Sequence, residues 1–144
     1  LKKPEITYPL RIMVCENCWL VQTEDYANAE DLFNDEYAYF SSTSSSWLKH
    51  AANFCETISQ KLNLSKDSFV VELASNDGYL LRNFVKLGIP CLGIEPTKKT
   101  ARVSRDLGVD VKEVFFSKNV ALQLAVEGRK ADLIIGNNTL TIIY

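Results

Sequence analysis

The sequence predicts an α/β fold built on a parallel sheet, and three observations carry that prediction. Four apolar runs, Phe69–Ala74, Cys91–Ile94, Val109–Phe116 and Ala131–Gly136, alternate with amphipathic segments near residues 79–87, 98–107 and 118–127. Each amphipathic segment ends at a glycine, Gly88, Gly108 or Gly128, the residue that most readily takes the left-handed conformation past a helix end. The first two apolar runs carry acids at their carboxyl ends, Glu72 and Glu95. Strand–helix–strand alternation requires crossover connections, and these are right-handed between parallel strands.

Composition bounds the function classes. A chain of 144 residues with 47% hydrophobic and 24% charged residues is one domain's worth of an ordinary globular protein. A formal net charge of −2 and scattered basic residues give no field for nucleic acid or an anionic membrane. No apolar run has the length of a membrane span, and the start lacks a signal segment. Four cysteines, two of them inside apolar segments, point to a reducing cytoplasm rather than a disulfide framework. The chain starts at Leu1 without a methionine and stops at Tyr144 without a turn signal, so it reads as a piece of something longer.

Two regions are expected, residues 1–40 and 41–144. The first holds short β-like runs at Tyr8–Val14 and Trp19–Gln22, then an acidic, aromatic stretch, Phe33–Ser42. Four aromatics among acids and serines suit a lid over a ligand; packing against the sheet is the plainer role. The hydroxyl run Ser41–Ser46 supplies helix N-caps or a linker. Trp47, Ala51, Phe54, Ile58 and Leu62 then form one apolar helical stripe. Thr97 and Ser117 stand where N-caps belong.

Acids at the carboxyl ends of two neighbouring strands are how such sheets build a nucleoside pocket. Alone, Glu72 is a solvated strand end. With Asn76-Asp77-Gly78 and Glu95 it becomes part of a cofactor site, in which Gly78 permits close approach and Glu95 accepts from both ribose hydroxyls. Asn76, Asp77 and nearby amides would surround the amino-acid end of the ligand, aided by the positive end of a helix starting near Tyr79. The turn has one glycine rather than Gly-x-Gly-x-x-Gly, which argues against a dinucleotide pyrophosphate. S-adenosylmethionine (SAM), with an adenosine and no phosphate, fits better. Phe115 and Phe116 are placed to face adenine or to fill the core. Asn137, at the end of the fourth run, faces substrate or makes a turn.

Cys15-Glu-Asn-Cys18 between two β-like runs has zinc-knuckle spacing, yet two thiolates are half of a tetrahedral site. Cys55 and Cys91 read as core residues. His50, the only histidine, lies at the flank of the Trp47 stripe and is a weak candidate for catalysis.

Taken in order, Cys15-x-x-Cys18-x-Leu20-Val21-Gln22, Glu36-Tyr37-x-Tyr39-Phe40-Ser41-Ser42, Trp47-x-x-His50, Glu72-x-x-x-Asn76-Asp77-Gly78, Gly93-Ile94-Glu95-Pro96 and Asp132–Asn138 form a specific set. The chain resembles the zinc-knuckle-bearing class I SAM-dependent methyltransferases that include sugar C-methyltransferases acting on nucleotide-linked keto-deoxysugars. The resemblance implies a Rossmann-like class I methyltransferase sheet, truncated after the fourth strand, with a small N-terminal β-rich remnant of a zinc-binding domain. It implies a cofactor set of Glu72, Ala74, Asn76, Asp77, Gly78, Glu95, Pro96, Phe116 and Asn137. Tyr37, Tyr39, Phe40, Ser41 and Ser42 would close over cofactor and substrate. Zinc belongs to the full-length parent, where cysteines upstream of Leu1 complete the set begun by Cys15 and Cys18. The family's acid/base motif and C-terminal sugar domain have no counterpart here, leaving Tyr37, Tyr39 and His50 as weak catalytic candidates.

The expected function is therefore the SAM-binding part of a methyltransferase acting on a sugar carbon, with this chain alone inactive. An NAD-type oxidoreductase domain and a non-catalytic binding or assembly module are the alternatives. Ala131–Gly136 would leave an uncovered apolar sheet edge, so self-association is expected.

Overall fold

The computed structural model describes residues 7–24, 26–34, 36, 37 and 39–139. The expectations drawn from Leu1 and from the tail 140–144 lie outside the described residues, as do Asp35 and Ala38 of the aromatic stretch. The chain divides into two compact units, Leu1–Leu32 and Phe33–Tyr144. Among the described residues, no helix is long and apolar enough to cross a membrane.

The first unit is a hairpin. Strands β1 (Ile12–Val14) and β2 (Val21–Thr23) pair antiparallel with Met13 opposite Gln22. They are shorter than the β-like runs around them and exposed throughout. The connection is closed by Cys15 N–H on Leu20 O and Trp19 N–H on Cys15 O, both 2.9 Å. Trp19 takes a left-handed φ of 62° to make the turn. A four-residue helix, α1 (Ala29–Leu32), follows.

The second unit holds the sheet. A short 3-10 turn, Ser41–Thr43, leads into helix α2 (Ser45–Leu62), capped by the Ser44 side chain accepting from Trp47 N–H. Such a cap is worth about 1 kcal/mol. The expected stripe is only partly inward. Ala51 and Cys55 are buried, Trp47, Phe54 and Ile58 pack at the core margin, and Leu62 is 44% exposed in the last turn. The helix ends at Asn63, whose short polar side chain tolerates the left-handed φ of 53°.

Strands β3 (Val70–Leu73), β4 (Cys91–Ile94), β5 (Asp110–Lys112) and β6 (Leu133–Ile135) alternate with helices α3 (Leu81–Lys86), α4 (Lys98–Asp106) and α5 (Lys118–Val126). All pairings are parallel, and the order is β5-β4-β3-β6, so the chain reverses direction across the sheet between β3 and β6. Gly88, Gly108 and Gly128 follow the three helices with φ of 69°, 83° and 77°, the helix-terminating conformation expected from the sequence. Ser117 caps α5 through Val120 N–H, whereas the Thr97 hydroxyl makes no such cap.

Side chains alternate along each strand and serve two layers. Val70, Cys91, Val111 and Ile135 pack with Ala51, Cys55, Phe84 and Ala101 of the helices on one face. Val71, Leu73, Leu92 and Ile94 meet Leu124 of α5 on the other. Helix α4 buries Thr100, Ala101 and Ser104, so its inward face is small and polar rather than bulky.

Two expected boundaries are corrected. The third strand ends at Lys112, not Phe116, because Val114 N–H turns back onto Lys112 O at 3.0 Å and leaves the ladder. Phe115 and Phe116 are therefore loop residues. Helix α3 begins at Leu81, not Tyr79, and has six residues, because the turn through Gly78 uses Tyr79 and Leu80 before the helix is set.

Candidate functional site

The site is built by the loop 74–78 at the carboxyl end of β3. Ala74, Asn76 and Gly78 all take left-handed φ, at 51°, 50° and 76°. Alternation of handedness folds the loop back on the sheet: Ser75 N–H reaches Ile94 O at 3.2 Å and Gly78 N–H reaches Ser75 O at 3.1 Å. Only Ala74 of this loop is exposed. Gly78 is required by its neighbour, since a Cβ there would stand 2.5 Å from Ser104 Oγ.

Glu95, just beyond β4, is 4% exposed and holds the loop. Its Oε2 accepts from Asn76 N–H and its Oε1 from Thr97 N–H, both at 2.9 Å, and Oε1 also accepts from the Thr97 hydroxyl. Thr97 was legible only as a cap. In the fold its hydroxyl serves the acid two residues before it and contacts the Thr100 hydroxyl. A carboxylate has about four lone-pair sites, so with three bonds from the described residues one remains open on Glu95.

The Asn76 side chain is bonded to the aromatic stretch. Its Oδ1 accepts from Ser41 N–H at 2.9 Å, and its Nδ2 donates to Tyr39 O at 3.1 Å. Asp77 Oδ2 accepts from Ser42 N–H at 3.1 Å. The aromatic stretch is thus fastened to the loop by two adjacent side chains. Tyr37 is half-buried, with rings of Phe33 at 5.2 Å and Tyr39 at 6.5 Å, while Tyr39 is 60% exposed. Burial, and then the charges of Glu95 and Tyr39, push the Tyr37 hydroxyl up from its ordinary pKa.

Glu72 points to the α2 and α3 face and is 1% exposed, with neither carboxyl oxygen hydrogen-bonded. Burial, then the negative charges of Asp77 and Glu95, hold its carboxyl well above the ordinary range, with the Tyr79 hydroxyl acting in the opposite direction. Asp77 Oδ1, Ser75 Oγ and Ser104 Oγ are likewise buried without partners. Tyr79, which sequence reasoning did not single out, accepts from Asn137 Nδ2 at 2.8 Å and stacks on Trp47 at 5.9 Å. That bond spans the crevice between β3 and β6, where open α/β sheets place ligands.

The remaining candidates are dispersed. Pro96 is half-buried beside Glu95. Phe116 packs against Val71, Leu73, Leu92 and Ile94, and Phe115 is exposed with its ring 6.4 Å from Phe33. His50 is exposed and stacks on Trp47 at 5.1 Å.

In the hairpin unit, amide N–H groups of Cys18 and Asn17 and the Cys18 thiol lower the pKa of Cys15. The shift is towards the thiolate, the form that binds metal. Cys18 is exposed beside it. The pair fits two corners of a tetrahedral zinc; among the described residues no three His, Cys, Asp or Glu side chains come together as a metal site.

Comparison with known proteins bears on both units. Residues 1–33 match the family Methyltransf_13, described as "Putative zinc binding domain". The chain is 29% identical over 132 residues to C-methyltransferase NovU of Streptomyces niveus, covering 92% of this chain and 31% of that protein. The chain is thus a distant relative of that methyltransferase over most of its length, and spans about a third of the relative's length.

Proposed function

We propose that the sheet unit is the SAM-binding part of a methyltransferase acting on carbon, with a nucleotide-linked keto-deoxysugar as acceptor. The observation that carries this reading is electrostatic. Asp77 and Glu95 are buried at the loop 74–78, and both place negative charge on it. A dinucleotide would bring two phosphate charges to this negative loop, whereas a sulfonium ion is a cation. Burial strengthens both the repulsion and the attraction. That disfavours the oxidoreductase reading.

Glu95 would hold the ribose, and the exposed Ala74 backbone marks where a ligand meets the end of β3. Asn137 and Tyr79 would line the crevice from which the methyl group is approached. When bound, SAM supplies an electrophilic methyl group, and orienting it is the contribution this unit is suited to make. The distant relationship to a C-methyltransferase supports carbon as the acceptor atom; the sugar rests on the resemblance drawn from the sequence. Cys15 and Cys18 would supply two ligands to a structural zinc. Ile134 on the edge strand β6 is 60% exposed, which supports self-association along that edge.

Calorimetric titration with SAM, its demethylated product and NAD tests the reading. Binding of the first two and not the third is expected. NAD bound in preference to SAM would restore the oxidoreductase, and no binding of any would leave the assembly-module alternative.

A further inference from the structure

We propose that Asn76 is a positioning residue that makes the 39–42 segment and the Glu95 carboxylate one mechanical unit, so that a nucleoside held at Glu95 also seats Tyr37 and Tyr39 beside it. The proposal rests on the reading of Glu95 as the ribose acceptor and adds a role for Asn76 that this reading does not require.

The geometry is that of a three-way junction. Through its side chain Asn76 pairs with the 39–42 backbone as another peptide would, donating to Tyr39 O and accepting from Ser41 N–H. Through its own N–H it donates to Glu95 Oε2. At 7% exposure these bonds are shielded from water, where a lost partner is costly because the other group stays unsatisfied. The left-handed φ of 50° lets the backbone N–H and the side chain serve different partners, and asparagine adopts that conformation more readily than most residues. Asp77 adds a second tie, to Ser42 N–H, and among the described residues it makes no bond to Glu95. Asn76 is thus the direct link between segment and acid.

Any change in how firmly Glu95 is held is transmitted to the segment, and the coupling is reciprocal. A ribose hydroxyl bound at the open lone pair of Glu95 fixes the carboxylate, the carboxylate fixes Asn76, and Asn76 fixes Tyr39 and Ser41. The consequence is ordered assembly: the tyrosines take their positions when the cofactor is present.

Amide hydrogen exchange at Ser41 and Ser42 in the full chain reads this directly, with SAM as the probe. SAM is expected to slow both amides by about tenfold, the equivalent of one retained hydrogen bond. Asn76→Asp keeps an acceptor for Ser41 and sets a second oxygen against Tyr39 O; at SAM concentrations raised until the variant is saturated, exchange should not be slowed. Equal slowing in the two proteins overturns the proposal. If the wild-type chain binds no SAM, the cofactor reading fails, and the coupling is then judged without ligand. Glu95→Gln should speed Ser41 exchange about fivefold or more when Asn76 is present; unchanged exchange overturns it. Should Asn76→Asp fail to fold, Ser41→Pro removes the segment's donor from outside the loop, at the first residue of a helical turn where proline is tolerated. With one of the two Asn76 bonds to the segment gone, SAM should slow Ser42 less than in the wild type, and undiminished slowing refutes the link.

Discussion

Gly78 lies directly against Ser104: a Cβ placed on the glycine would stand 2.5 Å from the serine Oγ and 3.1 Å from its Cβ. The contact presses the loop after β3 onto the inward face of α4, which is why that face carries Thr100, Ala101 and Ser104 instead of large apolar residues. The left-handed φ of 76° adds a second demand for glycine. Gly78→Ala is therefore expected to destabilise the fold by about 2–4 kcal/mol, from a left-handed alanine and an overpacked contact together. Adding Ser104→Ala should recover part of the loss by removing the nearer atom. Urea denaturation of the two single variants and the double variant checks this, and strictly additive losses would show that the two residues do not share the strain.

Periodicity and glycine placement made the βα repeat readable, because a helix ended by glycine and a buried parallel strand leave strong local patterns. Cys91–Ile94 appears with the expected bounds, and the three helix-terminating glycines all take positive φ. What was not readable is long-range. Glu95 as a strand-end acid is visible in sequence, but its bonds to Asn76 and Thr97 depend on how the loop folds back. The packing demand on Gly78 was hidden because its neighbour, Ser104, lies a helix away. The end of β5 was missed because apolar Val114, Phe115 and Phe116 continue the pattern after the ladder has stopped. Tyr79 read as one more apolar residue of an amphipathic segment, and nothing local announces its bond to Asn137.

Glu72→Gln should stabilise the protein at neutral pH. Above about pH 4.3 a glutamate in the unfolded chain is ionised, whereas the folded carboxyl, raised by burial and by Asp77 and Glu95, still holds its proton. The folded state then binds more protons, so this group's contribution is complete at acid pH and falls as pH rises towards the raised value. Glutamine carries no such dependence. The gain in Tm of the variant over wild type should be largest at neutral pH and shrink on acidification to pH 5. The gain is a linkage effect, so it should fall by at most about 1.4 kcal/mol per pH unit on acidification. A gain that grows on acidification would reverse the assignment. Cys55, Cys91 and Tyr79 also face Glu72, and each is raised by its charge after burial, so none supplies a compensating cation.

The four thiols should divide into two classes under alkylation. Cys55 and Cys91 are buried, with thiols pushed up to about 12 and about 11 by burial and by Glu72. Cys15 has its pKa lowered by the Cys18 and Asn17 amides, and Cys18 is exposed. At pH 7.5 iodoacetamide should modify Cys15 and Cys18 of the native protein, and Cys55 and Cys91 only in denaturant. Saturating zinc should protect the reactive pair if the hairpin retains affinity for the ion with two of its ligands. Mass spectrometry of digested samples reads each site; modification of Cys55 in the native state at a rate comparable to Cys15 would contradict the burial argument.

Thr97→Val should tighten cofactor binding rather than weaken it. Glu95 already accepts from Asn76 N–H, Thr97 N–H and the Thr97 hydroxyl. With about four lone-pair sites on a carboxylate, a ribose diol needs two and finds one. The Thr97 hydroxyl is the donor that can leave, because the Thr100 hydroxyl is already in contact with it. Both residues are buried, at 2% and 0% exposure, so the exchange of partners involves no new contact with water. Valine keeps the shape and the backbone N–H bond while deleting the competing donor. The expected gain is about 0.5–1.5 kcal/mol, the net value of one hydrogen bond, or roughly two- to tenfold in Kd. An analogue of SAM lacking one ribose hydroxyl needs only the open site, so its affinity should be the same for wild type and variant. Calorimetry with the two ligands separates the outcomes: weaker binding of SAM by the variant, or an equal gain for both ligands, would mean that the Thr97 hydroxyl does not occupy a ribose position on Glu95.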